Sequence, residues 1–207
     1  VSAGQLPNVA MAFAPMADQP EHGTSHFVAV DRWGEVASLT STIESGFGSG
    51  LVVNGYYLNN ELTDFGRDPM RNGQMIANRV EGGKRPRSSM TPSIVFDPQG
   101  QVRLAVGAAG GRTIITQTAK AIIGVIDWDL SAQEAIAQPL IFAPYDTAYV
   151  EPGSSHEALV DGLRALGHKV VVREVGYKAN AIEWKDGRWR GGADPRSEGA
   201  AVGEAGQ

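Results

Sequence analysis

The sequence predicts an α+β fold, mainly antiparallel sheet with helices packed on its faces. Segments rich in β-branched and aromatic residues come in pairs around tight turns. Segments with helical periodicity fall between them, in the order strands, two helices, strand, helix, strands. That order lacks the strict alternation of a parallel sheet. The 207 residues, 42% hydrophobic and 20% charged, are enough to bury one ordinary globular core.

Residues 1–22 are rich in Pro, Ala, Gly, Gln and Met and read as a loosely packed arm without the basic start and apolar stretch of a signal peptide. HFVAVD (26–31) and EVASLTSTI (35–43) form a hairpin turned by Gly34. Residues 44–65 combine a Gly-punctuated loop, a short strand-like apolar run and a polar cluster. Residues 66–87 read as a long polar loop, of a length that is usually functional or mobile. SIVFD (93–97) and QVRLAVG (101–107) form a second hairpin around Pro-Gln-Gly. In residues 112–128, Ile114, Ile115, Ala119, Ile122, Ile123 and Ile126 recur with helical spacing and predict an amphipathic helix. A second helix starts at Ser131, an N-cap with Glu134 three residues on, and stops at Pro139. A third spans residues 154–168 and is closed by Gly167. Residues 168–175, 180–187 and 188–196 complete the strands. The sequence carries no internal repeat.

Composition removes several functions. A net charge of −5 argues against nucleic-acid or anionic-membrane binding, which need a basic face. The absence of cysteine excludes disulfides, thiol catalysis and zinc–thiolate sites. No apolar run reaches the length of a membrane span. GFGSG (46–50) precedes a strand-like run rather than a helix, so it is no dinucleotide loop, and GAAGGRT (107–113) lacks the lysine of a P-loop. His22, His26, His156 and His168 are scattered, and no metal site is predicted. Trp33, Trp128, Trp184 and Trp189 read as packing residues.

Four stretches are more specific than scaffold requires. They are Thr24-Ser25-His26, Thr40-Ser41-Thr42-Ile43-Glu44 with its glycine loop, Leu58-Asn59-Asn60-Glu61-Leu62-Thr63-Asp64-Phe65, and GKRPRSSMTPSIVF running on to VGAAGGRTIITQ. Together with Gly192-Ala193-Asp194-Pro195-Arg196-Ser197 they resemble the gamma-glutamyltranspeptidase family, the glutathione hydrolase proenzymes among the N-terminal-nucleophile (Ntn) hydrolases. The resemblance covers nearly all of a small catalytic subunit. It implies the αββα sandwich of those hydrolases, cleavage between Gly23 and Thr24, and Thr24 as both nucleophile and new N-terminus. The chemistry suits the residue. A freed threonine carries its own α-amine, a group that ordinarily titrates at about 7.7–8.0, as base. Gly23 suits a bent scissile peptide.

The resemblance also implies that the Thr42 hydroxyl bonds the nucleophile and that Gly110 and Gly111 supply oxyanion N–H groups. It places Glu61 and Asp64 on the substrate α-ammonium, Ser88 and Ser89 on its α-carboxylate, and Glu44 near the bound glutamyl group. Lys84 and Arg85 are read as fixing their loop. Residues 1–23 are read as the end of a large subunit or a linker, and 24–207 as the catalytic domain. The implied partner is a large subunit from the same precursor, in a heterodimer or a dimer of heterodimers. The implied substrate is glutathione or another γ-glutamyl compound, with no cofactor. The family favours a periplasmic or secreted setting, and the sequence leaves the compartment open. Glu44 resembles the glutaryl-cephalosporin acylase subgroup, so an acylase is one rival and a non-catalytic relative another. Residues 65–87 carry no match to the aromatic lid of some relatives, which favours hydrolysis over transpeptidation.

Overall fold

A computed structural model describes residues 23–203 of the chain. The arm over 1–22, with His22, and the last four residues lie outside the described residues. Contacts divide the described residues into two compact units, one holding 60–88 and the other 23–59 with 89–203.

In the larger unit, β1 (Thr24–Val30) and β2 (Val36–Thr42) form the expected hairpin, with Gly34 at φ 85° in its turn. A four-stranded antiparallel sheet has the order β13–β12–β8–β7. Its strands are β7 (Ser93–Phe96), β8 (Val102–Ala109), β12 (Lys178–Lys185) and β13 (Arg188–Ala193). Strand β8 is buried on both faces. Leu104, Val106 and Ala108 pack on α1 (Thr113–Ile126) and α2 (Ala132–Ala137), joined by Ala179 and Ala181 of β12. The other face of β8 and β12 meets β1 and β2. Two sheets therefore lie face to face with helices outside one of them. Outside the other, Phe27 and Leu39 pair across β1 and β2 and remain 51% and 48% exposed.

The capping box is present: the Ser131 side chain accepts from the Glu134 N–H, and the Glu134 carboxylate accepts from the Ser131 N–H. The third helix is shorter than predicted. A 3₁₀ turn over Ser155–Leu159 leads into α3 (Val160–Ala165). It connects β10 (Thr147–Val150) to β11 (Lys169–Val172), and these strands run parallel, with β9 (Ile141–Phe142) antiparallel on the other side. Val160 packs against Ala148, Val150 and Val170 to give this corner its own small core.

Asn54-Gly55, at φ 51° and 84°, turns a two-residue hairpin between β3 (Val52–Val53) and β4 (Tyr56–Tyr57) where only a strand-like run was expected. Two tryptophans depart from the packing role predicted for them. Trp33 and Trp128 are 73% and 58% exposed, and Trp33 lies beneath the Arg32 guanidinium instead of in a core.

The smaller unit is not a bare loop. It holds a 3₁₀ turn over Glu61–Asp64 and a hairpin of β5 (Met70–Arg71) and β6 (Gln74–Met75), turned by Asn72-Gly73. Among the described residues, Phe65 and Ile76 are its buried apolar side chains.

Candidate active site

The hairpin register sets the first pair. Thr24 stands opposite Thr42, on the face turned toward β8 and β12. The Thr24 Oγ1 donates to Thr42 Oγ1 at 3.1 Å. The Glu44 N–H donates to the same Thr42 oxygen at 2.8 Å, so Thr42 is held from the loop side as well. Glu44 is buried and sits at φ 72°, an uncommon conformation for a residue with a side chain.

Gly23, on the other side of the peptide bond to Thr24, has φ 104°. A Cβ there would lie 2.8 Å from the Glu44 carbonyl oxygen and 3.0 Å from that of Ser45. Only glycine fits between those carbonyls in that conformation. Gly23, Thr24, Thr42 and Glu44 are thus one local construction, built by one hairpin and the loop that leaves it.

One rung along the same face stands His26, which sequence reasoning left unassigned. Its Nδ1 lies 2.8 Å from Thr40 Oγ1, and Asn180 Nδ2 donates to its backbone carbonyl at 2.9 Å. Its ring lies against Gly107 of β8, where a Cβ would fall 2.4 Å from the imidazole. Burial pushes the imidazole pKa down to about 4, so it is neutral at pH 7. His26 is a neutral wedge between the two sheets, beside the nucleophile candidate. The sequence signal that could have found it is a glycine inside an otherwise apolar strand, which marks a close approach.

Gly110 and Gly111 form the joint between β8 and α1, at φ 123° and 59°. The buried Thr113 and Gln117, from the first two turns of α1, stand behind them. Gly23, Thr24, Gly110 and Gly111 line one cleft of about 840 Å³. Its far wall includes Glu151, Tyr177 and Arg196.

That wall is rigid. The Arg196 guanidinium meets Asp194 through two bonds of 2.7 and 2.8 Å, meets Glu151 at 2.7 Å, and lies over the Tyr177 ring at 4.3 Å. Burial, with the Glu151 carboxylate, pushes the Tyr177 phenol up to about 12, so Tyr177 stays protonated. Burial, with the nearby Arg196 charge, brings Lys120 down to about 8; its Nζ donates to the Ile136 carbonyl.

The remaining candidates lie elsewhere in the chain. Glu61 and Asp64 share the 3₁₀ turn of the smaller unit, with Asp64 7% exposed and Glu61 partly exposed. Asn78 Nδ2 donates to the Asp64 carbonyl and fixes that turn. Ser88 and Ser89 stand at the boundary between the units, Ser88 exposed and Ser89 half-buried. Lys84 donates to the Ala77 carbonyl, in keeping with a role in fixing its loop.

A sequence profile of the family described as gamma-glutamyltranspeptidase matches residues 4–204. The chain belongs to the gamma-glutamyltranspeptidase family. It is 38% identical over 191 residues to a glutathione hydrolase proenzyme of Bacillus subtilis strain 168, covering 90% of this chain and 32% of that protein. Among solved structures, a point mutant of Helicobacter pylori gamma-glutamyltranspeptidase is 33% identical, with a TM-score of 0.74 over 84% of this chain and all (100%) of that one. A cephalosporin acylase from Bacillus halodurans is 25% identical, with a TM-score of 0.68 over 80% of this chain and 31% of that one. The fold is therefore the Ntn-hydrolase fold expected from the family's motifs. The chain spans about a third of the length of the curated relatives it matches, 32% and 33% for two of them.

Proposed function

We propose that this chain is the catalytic part of a γ-glutamyl acyl-transfer enzyme that frees Thr24 by cutting its own precursor after Gly23. The observation that carries the proposal is the placement of Thr24. Its hydroxyl is paired with Thr42 at 3.1 Å, and it shares a cleft with the Gly110-Gly111 turn. The Gly23–Thr24 peptide is held in a conformation that only glycine tolerates.

In the reaction, the freed α-amine takes the proton of Thr24 Oγ1 as that oxygen attacks the γ-carbonyl of a γ-glutamyl amide. The Gly110 and Gly111 N–H groups receive the oxyanion. The amide C–N bond breaks, and the amine leaves with the proton from the Thr24 ammonium. Water, or an amine acceptor, then resolves the Thr24 ester and releases glutamate or a new γ-glutamyl amide. Glu61 and Asp64 take the substrate ammonium, Ser88 and Ser89 its carboxylate, and Glu44 lies near the glutamyl chain. Glutathione is the reference donor, and water the favoured acceptor.

The partner is a large subunit from the same precursor. Support comes from the third of the relatives' length that this chain spans, and from the exposed Phe27–Leu39 face of the β1–β2 hairpin. A glutaryl acylase is the second reading, favoured by the buried Glu44 carboxylate and by the likeness to the cephalosporin acylase.

The test is intact mass and N-terminal sequencing of the full precursor beside Thr24→Ala. A chain beginning at Thr24 in the parent alone is the expected result; two uncut proteins would overturn the proposal. Rates on γ-glutamyl-anilide against glutaryl-anilide separate the two acyl specificities.

A further inference from the structure

We infer that Gln117 and Thr113 are positioning residues that aim the Gly110 and Gly111 amides into the cleft. The inference rests on the oxyanion role proposed above, and extends it to side chains that never touch substrate.

In a trans peptide plane, C=O and N–H point in opposite directions. The Gly110 N–H shares its plane with the Ala109 carbonyl. The Gly111 N–H shares its plane with the Gly110 carbonyl. Fixing those two carbonyls therefore fixes both N–H directions.

Both carbonyls are gripped from the same side. Gln117 Nε2 donates to the Ala109 oxygen at 2.9 Å. Thr113 Oγ1 donates to the Gly110 oxygen at 2.9 Å, with the Gly176 oxygen nearby at 3.1 Å. The second Gln117 Nε2 hydrogen goes to Thr113 Oγ1 at 2.7 Å. With that donor on the Thr113 oxygen, the hydroxyl hydrogen is left to point at the carbonyls. Gln117 is itself oriented, because the Lys178 N–H donates to its Oε1 at 2.9 Å. Lys178 and Ala109 are register partners at the end of the β8–β12 ladder. The Gln117 amide thus spans the last rung, taking a hydrogen bond from one strand and giving one to the other. Gln117 and Thr113 are each 2% exposed, so water does not compete for these bonds. The grip is also close. A Cβ on Gly110 would lie 2.7 Å from Thr113 Oγ1 and 3.1 Å from Gln117 Nε2.

The experiment uses the full precursor, self-cleaved, with rates expressed per mole of free Thr24 counted by mass spectrometry. Thr113→Val keeps the shape and removes the hydroxyl; Gln117→Leu removes both donors; Thr113→Ser restores the hydroxyl. The probes are a γ-glutamyl-anilide, glutamate, and a boronic-acid analogue of the γ-glutamyl group. The boronate adds to the Thr24 hydroxyl and places an oxygen where the oxyanion forms; glutamate binds without it.

We expect Thr113→Val and Gln117→Leu each to lower kcat about 10- to 100-fold with KM within about twofold, since complete loss of such a donor costs about 10²–10³. Boronate affinity falls about tenfold or more, glutamate affinity stays within about twofold, and Thr113→Ser returns kcat to within about threefold of the parent. Equal losses for boronate and glutamate, or parental kcat in either deletion variant, would overturn the inference. Thr24→Ala separates the two levels. If the parent turns over and Thr24→Ala does not, while both deletion variants match the parent, only the positioning role fails. If the parent has no γ-glutamyl turnover, or Thr24→Ala retains it, the underlying reaction fails.

Discussion

The β8–β12 ladder is finished differently at its two ends. At the Ala109–Lys178 end, beside the cleft, a neutral amide and a hydroxyl close the rung. At the Leu104–Glu183 end a carboxylate does so. Glu183 is fully buried, accepts from Arg103 at 2.9 Å and from the Ala132 N–H at 2.9 Å, and so ties the sheet to the start of α2. Both ends satisfy buried polar groups, but with different electrostatics. In the reaction proposed above, a charge behind the glycine turn would impose its field on the developing oxyanion and on the freed Thr24 amine. Neutral dipoles orient the turn without that field. Away from the cleft, an ion pair with both carboxylate oxygens engaged is tolerated, and it locks the element against which the helices pack.

The largest effect expected tests the ionic end. Glu183→Ala leaves the Arg103 charge and the Ala132 N–H without their partner, so we expect a loss of about 3–5 kcal/mol by denaturant unfolding. The molecules that remain folded keep the parental kcat. A large fall in kcat at unchanged stability would show that the two ends are not separable.

Gly110→Ala tests the neutral end. The added methyl meets Thr113 Oγ1 at 2.7 Å, on a backbone at φ 123° that disfavours any side chain. We expect a fall in kcat of about 10²–10³, the scale of one lost oxyanion donor. Parental kcat would remove the turn from the mechanism.

The same contrast explains what the sequence could and could not reveal. The β1–β2 and β7–β8 hairpins were legible because strand alternation and turn glycines agree. The two Asn-Gly hairpins, β3–β4 and β5–β6, were not, because strands of two residues are too short to show alternation. The first helix was located correctly, but its face was only partly right. Ile115, Ile123 and Ile126 are 52%, 43% and 48% exposed, while Thr113, Gln117 and Thr118 are buried. Apolar spacing points to the isoleucines; the backbone of a glycine turn and a neighbouring strand, invisible to a periodicity argument, needs the polar residues inside. Thr24 and the Gly110-Gly111 turn stand out as a candidate site only through the family's motifs, and the structure brings them to one cleft. His26 did not, because its role depends on Gly107, which is distant in sequence and has no side chain.

His26 extends the comparison to pH. Its imidazole belongs with the neutral set, held near a pKa of about 4 by burial, against about 6.5 in an unfolded chain. The folded-state pKa is depressed, so the unfolded chain takes the proton first as pH falls. Stability is complete above about pH 6.5 and is lost as pH drops toward 4, by up to about 3 kcal/mol. Chemical denaturation of the parent against His26→Asn, which carries no titrating proton, checks this. We expect the parent's curve to fall more steeply across that window; parallel curves would mean that the imidazole titrates normally.

The smallest effect sharpens the comparison at one helix. Two devices serve the N-terminus of α2: buried Glu183, which takes the Ala132 N–H, and the exposed capping box of Ser131 and Glu134. Both satisfy donors that the helix cannot satisfy itself. Water can replace the Ser131 oxygen when it is removed, whereas nothing replaces the Glu183 carboxylate. We therefore expect Ser131→Ala to cost about 1 kcal/mol, several-fold less than Glu183→Ala, with kcat unchanged. Denaturant midpoints of the two variants, measured side by side, give the ratio. Equal losses would mean that solvent exposure does not set the difference, and that α2 is held by its cap as much as by the sheet beneath it.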